Sequence, residues 1–254
     1  MYAEERQNAI AQLVADDGRA SVTDLAQQFQ VTTETVRRDL ASLERLNVIR
    51  RVHGGAVPAT MLSAVETAVP ERETARRTQK QSIGHAAQRY MPATGGSVIF
   101  DAGTTTVMAA RQLSPRTLAA VTNCLPVATT LSAVADVDVQ LLGGRIRGIT
   151  QAAVGPATVE ALRRIRVDVA FVGTNGISLD FGLSTPDPEE AAVKSAIIES
   201  AKYVVVLSDS SKFGQESMVS FAGLEQVDAI VTDSGLRAAD HDALTERGIE
   251  VVVA

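Results

Sequence analysis

Hydrophobic residues at the start of the chain recur at helical spacing. Arg6, Ile10, Leu13 and Val14 follow it, with the apolar three on one face, until Asp16-Asp17-Gly18 breaks the pattern. Ser21 is placed to cap a short helix carrying Val22, Leu25, Ala26 and Phe29. A tight turn at Gln30-Val31 follows. Thr32 or Thr33 then caps a third helix to about Leu46, with Val36, Leu40 and Leu43 on its inner face. Val48-Ile49-Arg50-Arg51-Val52 reads as a strand, Gly54-Gly55 as a turn and Ala56-Val57 as the returning strand. Helices closed by a small hairpin predict a winged helix-turn-helix over residues 1–57.

Residues 58–79 carry no strong period and are read as a linker, whose end opens a helix running to Tyr90. From Ser97 the pattern changes to short apolar runs. They lie at Val98–Phe100, Leu118–Thr122, Val137–Leu142, Val167–Val172, Tyr203–Leu207, Val227–Val231 and Ile249–Val253. Helical segments fall between several of them, at about Thr105–Leu113, Pro126–Val134, Ala157–Ile165, Pro188–Ala201 and Ala239–Arg247. Val/Ile/Leu strands alternating with helices predict an α/β domain with a mainly parallel sheet over residues 80–254.

Composition sets limits on this picture. Hydrophobic residues make up 45% and charged residues 21%, a globular mixture with ample material for a core. Cys124 is the only cysteine, which excludes an intrachain disulfide and a cysteine-based zinc site. It is expected to be a small buried residue. The three histidines, His53, His85 and His241, are far apart in sequence, so neither a metal nor a cofactor is expected. No apolar run approaches the ~18 residues of a membrane span. The first residues are polar and acidic, so a cytoplasmic protein without membrane contact is expected.

The formal net charge of -6 argues against a chain that coats nucleic acid by bulk charge. Its distribution changes that conclusion. Residues 1–57 hold seven Lys/Arg against eight Asp/Glu, yet between Thr35 and His53 five arginines face only Asp39 and Glu44. Positive charge is concentrated on the third helix and the wing, the parts of such a fold that touch DNA.

Thr32, Thr33, Glu34 and Thr35 open the third helix, the end that enters the major groove in a helix-turn-helix. Hydroxyls there reach base edges and phosphates, and the free N–H groups of the helix end favour a phosphate. Arg37 and Arg38 follow. A bidentate arginine reads guanine or clamps a phosphate, and the sequence leaves both open. An amphipathic helix with solvated charges is the plain alternative. The preceding helix and the basic hairpin carrying Arg50, Arg51 and His53 favour DNA contact. Asp39 is expected to orient or neutralise the adjacent arginines.

In the second region, Phe100-Asp101-Ala102-Gly103-Thr104-Thr105-Thr106 follows a strand and opens a helix. Glycine admits an anion close to the backbone, and the threonine hydroxyls and helix N–H groups suit a phosphate. Asp101 is placed to accept from a sugar hydroxyl. A tight, threonine-capped turn is the structural alternative. Asn123, Gly143-Gly144-Arg145, Gly173-Thr174-Asn175-Gly176 and Asp209-Ser210-Ser211-Lys212 fall at other strand ends, the edge where open α/β sheets bind ligands. Lys194, Lys212 and Arg145 are candidates to pair with a phosphate or an acid. A solvated lysine is the alternative for Lys194.

These motifs together resemble the DeoR family of bacterial sugar-metabolism regulators. The likeness rests on Thr35-Val36-Arg37-Arg38-Asp39-Leu40, Arg50-Arg51-Val52-His53-Gly54-Gly55-Ala56-Val57, Asp101-Ala102-Gly103-Thr104-Thr105, Leu142-Gly143-Gly144, Glu190-Ala191-Ala192-Val193-Lys194 and Asp209-Ser210-Ser211-Lys212-Phe213-Gly214. It extends over nearly the whole chain. Met1-Tyr2-Ala3-Glu4-Glu5-Arg6 and Thr122-Asn123-Cys124-Leu125-Pro126 resemble the actinobacterial fructose and sugar-uptake (phosphotransferase system) repressors of the family.

The resemblance implies a repressor that binds double-stranded operator DNA and is released by a small phosphorylated sugar such as fructose 1-phosphate. It implies a ligand domain resembling ribose-5-phosphate isomerase. That enzyme class carries carboxylates for proton transfer where this chain has Gly173-Thr174-Asn175-Gly176. Threonine and asparagine cannot serve as a general base, so binding without turnover and no catalytic residues are expected. The alternative is a sugar-phosphate isomerase-like enzyme with an appended DNA-binding module. A homodimer or homotetramer is expected, because helix-turn-helix proteins read paired half-sites.

Overall fold

The computed structural model describes residues 2–17, 20–46, 48–52, 54–58 and 69–254. The chain divides into two compact units, Met1–Leu62 and Ser63–Ala254.

In the first unit, the periodic apolar positions form α1 (Ala3–Asp17), α2 (Val22–Phe29) and α3 (Thr33–Arg45). Ser21 caps α2 by accepting from the Asp24 N–H, and Thr32 caps α3 by accepting from the Thr35 N–H at 3.2 Å. Strands β1 (Ala20–Ser21), β2 (Ile49–Val52) and β3 (Gly55–Pro58) form one antiparallel sheet in the order β1-β3-β2. The wing thus gains a strand that the hairpin pattern did not predict. Gly55 is required where it is, since a Cβ there would lie 2.2 Å from the Ala20 carbonyl oxygen. Ile10, Leu25, Leu40 and Ile49 are fully buried in the core of this unit. Each such burial contributes about 1.5–3 kcal/mol.

The second unit begins its described part with α4 (Val69–Thr74) and α5 (Arg77–Ala86). Helix therefore occupies part of the span read as a linker, whose residues 59–68 lie outside the described residues. The chain continues through β4 (Ser97–Phe100), α6 (Thr104–Arg111), β5 (Leu118–Thr122), α7 (Leu125–Leu131), β6 (Val137–Leu141), β7 (Arg145–Arg147) and β8 (Ala152–Val154). Then come α8 (Pro156–Arg163), β9 (Val167–Val172), β10 (Gly176–Ser178), β11 (Gly182–Thr185), α9 (Pro188–Ser200) and β12 (Ala201–Leu207). The last elements are β13 (Val219–Ala222), β14 (Ala229–Thr232), α10 (Ala238–Glu246) and β15 (Glu250–Val253).

The seven apolar runs form one parallel sheet in the order β15-β14-β12-β9-β4-β5-β6. The central strands are covered on both faces, which is why they are apolar, while the edge strands β6 and β15 have no buried residue. Val98, Phe100, Phe171, Val205 and Leu207 pack on one face with α5, α6 and α7 residues. Ile99, Ala170, Val172, Val204 and Val206 pack on the other with α8, α9 and α10 residues. The chain runs outward from β4 through β5 and β6, then crosses to β9 and runs outward the other way. The strand order therefore reverses between β4 and β9, where open α/β sheets form a crevice at the carboxyl ends of their strands. Two small antiparallel sheets, β7-β8 and β10-β11-β13, complete the unit.

Candidate functional site

At the first unit's candidate nucleic-acid surface, Thr32, Thr33 and Glu34 are exposed at the start of α3 and Thr35 is half-buried. Thr32 and Thr35 share a hydroxyl–hydroxyl contact of 2.9 Å, so both serve the helix cap. Arg37 and Arg38 are exposed and adjacent to Glu34, with N–O distances of 3.8 and 3.6 Å. Glu34 therefore tethers the two arginines. Arg51 is exposed and lies 3.7 Å from Glu44, which also accepts its backbone N–H. Arg50 is paired through its backbone to Val57 on β3. His53 lies outside the described residues.

Asp39 does not have the role expected from its position beside Arg37 and Arg38. It turns inward, and its carboxylate accepts from Arg6 at 2.6 and 3.3 Å and from Gln7 at 3.0 Å. Successive residues on a helix point about 100° apart, so Asp39 points to α1 while the two arginines point to solvent. It anchors the recognition helix to the first helix.

In the second unit, the reversal of strand order brings several candidates together. Asp101 follows β4 and is buried, and its Oδ2 accepts from the Gly173 N–H at 3.0 Å and from Lys194. Lys194 also donates to the Gly173 carbonyl at 2.9 Å and lies over the Phe221 ring. The solvated alternative for Lys194 fails: it is buried and paired with an acid. Complete burial pushes the Asp101 carboxyl up, against the pull of Lys194 and the Gly173 N–H.

Gly103 precedes α6, and Thr104 and Thr105 open it with little exposure. Thr106 is fully buried, and its hydroxyl donates to the Asp101 and Gly103 carbonyls at 2.7 and 2.8 Å. It shapes the loop from inside, although the N-cap of α6 is Gly103 and no threonine side chain caps the helix. Asn123 ends β5 and donates from Nδ2 to the Ala153 carbonyl at 3.2 Å. Cys124 is buried beside it, and burial pushes its thiol up to about 11, far from a nucleophile's range.

Other candidates are committed elsewhere. Asn175 accepts from Thr185 at 3.1 Å, and the Thr174 hydroxyl donates to the Gly176 and Ser184 carbonyls, which fixes the β10-β11 hairpin. Arg145 is exposed and paired with Glu189. Arg147, not singled out from the sequence, takes the inward position, reaching Asp187 at 3.0 Å and Glu190 at 3.2 Å on α9. Thr150 donates to the same Glu190 carboxylate.

Asp209 follows β12 and is buried, with Arg76 at 3.5 Å and the Ser211 N–H at 3.1 Å. Lys80 is buried close by and donates to the Ala75 carbonyl at 2.9 Å and to the Arg72 carbonyl. Burial lowers its ammonium to about 8; Asp209 opposes the shift, while Lys212, Arg72 and Arg76 add to it. Arg76 thus pairs with Asp209, and Lys80 lies within electrostatic reach of Asp209 and of three further cations, Lys212, Arg72 and Arg76. Only Lys212 of the four was a sequence candidate, because α4 and α5 fall in or beside the span read as a linker.

Residues 6–61 match the DeoR-like helix-turn-helix domain, and residues 75–234 match the DeoR C terminal sensor domain. The HTH-type transcriptional regulator GlpR of Haloferax volcanii is 38% identical over 253 residues, covering 99% of this chain and 98% of that protein. The glycerol-3-phosphate regulon repressor of Escherichia coli K12 is 34% identical over 248 residues, covering 97% of each. Ribose 5 phosphate isomerase A from Neisseria gonorrhoeae matches with a TM-score of 0.40 and 14% identity, over 54% of this chain and 53% of that one. That last likeness carries no argument about ligand or reaction. No described helix is long and apolar enough to cross a membrane. With both domain families matched along the chain and these relatives aligned end to end, the chain belongs to the DeoR family of transcriptional regulators.

Proposed function

We propose that this regulator represses genes of sugar uptake and metabolism by binding a specific operator, and that a phosphorylated sugar such as fructose 1-phosphate releases it. Thr32, Thr33, Arg37 and Arg38 at the start of α3 and Arg51 on the wing form its DNA surface, to which the sequence adds Arg50 and His53. The observation that carries the effector reading is the charge beside the carboxyl end of β12, where Arg76 pairs with the buried Asp209 and Lys80 lies within electrostatic reach of Arg72, Arg76 and Lys212. Such an excess of cations suits a phosphate dianion, which accepts strong charge-assisted hydrogen bonds. Gly103, Thr104 and Thr105 offer backbone N–H groups and hydroxyls to the rest of the effector, and Asp101, Asn123 and Gly173 line the same edge.

Release requires the effector to bind the DNA-free state more tightly than the DNA-competent one. Paired half-sites call for a homodimer or homotetramer. The relative described as a glycerol-3-phosphate regulon repressor supports a phosphate ester as the signal class. A gel-shift titration on the DNA upstream of the protein's own operon tests the reading. Fructose 1-phosphate should free the DNA. Persistence of the complex across a panel of sugar phosphates overturns it.

A further inference from the structure

Two side-chain oxygens at the reversal of strand order have no hydrogen-bond partner among the described residues: Asp101 Oδ1 and Asn123 Oδ1. Asp101 is 1% exposed and Asn123 2%. Each side chain is held by its other atom. Asp101 Oδ2 takes both the Gly173 N–H and Lys194, and Asn123 Nδ2 is engaged by the Ala153 carbonyl. Buried acceptors left without donors are rare and unfavourable. The two residues stand at neighbouring strand ends, because Phe100 pairs with Thr122 in the sheet and Asp101 and Asn123 are the residues that follow. Neighbouring strands lie about 4.8 Å apart.

We propose that Asp101 Oδ1 and Asn123 Oδ1 together recognise two neighbouring hydroxyl groups of the effector, at the end remote from its phosphate. The assignment rests on the effector reading above and adds an orientation to it. Both oxygens only accept, so their complement must donate twice at short separation, as adjacent hydroxyls of a polyol do. A phosphate or carboxylate would set acceptor against acceptor and anion against the Asp101 carboxylate. Lys194 does not reverse this, since its charge is directed at Asp101 Oδ2 and the Gly173 carbonyl. Asp209, with Arg76 paired to it, follows β12, two strand spacings from β4, or about 10 Å. The effector class is therefore a monophosphate ester with its phosphate toward β12 and adjacent hydroxyls over β4 and β5. A sugar phosphorylated at both ends does not fit.

Calorimetry on the full-length protein tests this with matched ligands. They are glucose 6-phosphate against 2-deoxyglucose 6-phosphate, ribose 5-phosphate against 2-deoxyribose 5-phosphate, fructose 1-phosphate against fructose 1,6-bisphosphate, and fructose and inorganic phosphate alone. The expected result is that whichever monophosphate binds does so at least tenfold more tightly than its deoxy or bisphosphate counterpart. In Asp101→Asn the amide oxygen turns to Gly173 and Lys194 and an NH2 group faces the ligand, so the preference for the hydroxyl partner falls at least tenfold. The ligand comparison on the unaltered protein stands even if that variant does not fold. Equal binding of a sugar phosphate and its deoxy counterpart, or tight binding of the bisphosphate, overturns the hydroxyl assignment and leaves the phosphate reading intact. Fructose binding as tightly as its phosphate supports the hydroxyl assignment and overturns the phosphate reading. Inorganic phosphate matching every sugar, or no binding by any member of the panel, overturns the assignment.

Discussion

Asp39→Ala removes one partner of a buried ion pair in the DNA-binding unit. The Arg6 and Asp39 side chains are 10% and 5% exposed, and the guanidinium makes two hydrogen bonds to the carboxylate. Taking the carboxylate away leaves Arg6 buried without its counter-charge, a change that costs about 3–5 kcal/mol. At roughly 0.05–0.15 kcal/mol per residue, a unit the size of Met1–Leu62 has only about 3–9 kcal/mol of stability. The substitution therefore removes much of what holds α3 in place. Hydrogen exchange on the full-length protein reads this directly. Amides of α1 and α3 should exchange roughly two to four decades faster, at about 1.4 kcal/mol per decade. Amides of the seven-stranded sheet should not change. Arg6→Met combined with Asp39→Leu should recover most of the protection, because an apolar pair of similar volume replaces a buried ion pair at little cost. If Asp39 instead acts on Arg37 and Arg38, Asp39→Ala will leave exchange unchanged and alter only DNA affinity. That result refutes the anchoring role.

Arg37→Ala and Arg38→Ala should each weaken operator binding, by about 1–3 kcal/mol where the side chain reads guanine. If it grips a phosphate, affinity should fall for all sequences and the salt slope should drop by about one. Fluorescence anisotropy across a salt series separates the two, and an unchanged affinity removes that arginine from the surface. Thr104→Val with Thr105→Val should abolish release by fructose 1-phosphate while operator affinity stays normal; if release persists, the loop is structural only. Lys80 has its ammonium near 8 in the fold against 10.5 when free. Its charge is present below that value and lost above it, so fructose 1-phosphate affinity should fall as pH rises through about 8. Over the same rise the sensor unit gains stability, since between the two values the unfolded chain binds more protons. Lys80→Met should flatten the affinity profile, and a flat profile in the unaltered protein excludes a role for that charge.

The parallel sheet was legible because its central strands are apolar runs buried on both faces, and the edge strands still carry Val137, Val139 and Val251–Val253. The short strands were not. Arg145–Arg147, Gly176–Ser178 and Gly182–Thr185 are too brief and too mixed to show a period of two. Helix α4 was missed because Pro70 and the charges at 71–73 resemble a linker. Candidate residues carried by a loop motif, such as Asp101, Gly103 and Thr104, stand in the strand-to-helix loop that the local sequence predicts. Those defined by distant partners were not. Asp39 finds Arg6 33 residues back, and Lys194 finds Asp101 93 residues back. Local charge patterning therefore assigned Asp39 to the wrong arginines and left Lys194 open between ligand, acid and solvent. The net charge was also a poor guide, since the acids of the sensor unit outweigh a small basic surface on the other unit.

Operator release is the most direct test of a sugar-phosphate-controlled repressor. A labelled fragment from upstream of the protein's own operon is bound by full-length protein, and fructose 1-phosphate is added while anisotropy is followed, with other sugar phosphates and fructose in parallel. The account predicts that at least one phosphate ester lowers the anisotropy to that of free DNA, in a saturable manner, while unphosphorylated fructose leaves the complex intact. Anisotropy that stays at the bound value with every phosphate ester, or that falls equally with fructose, contradicts it.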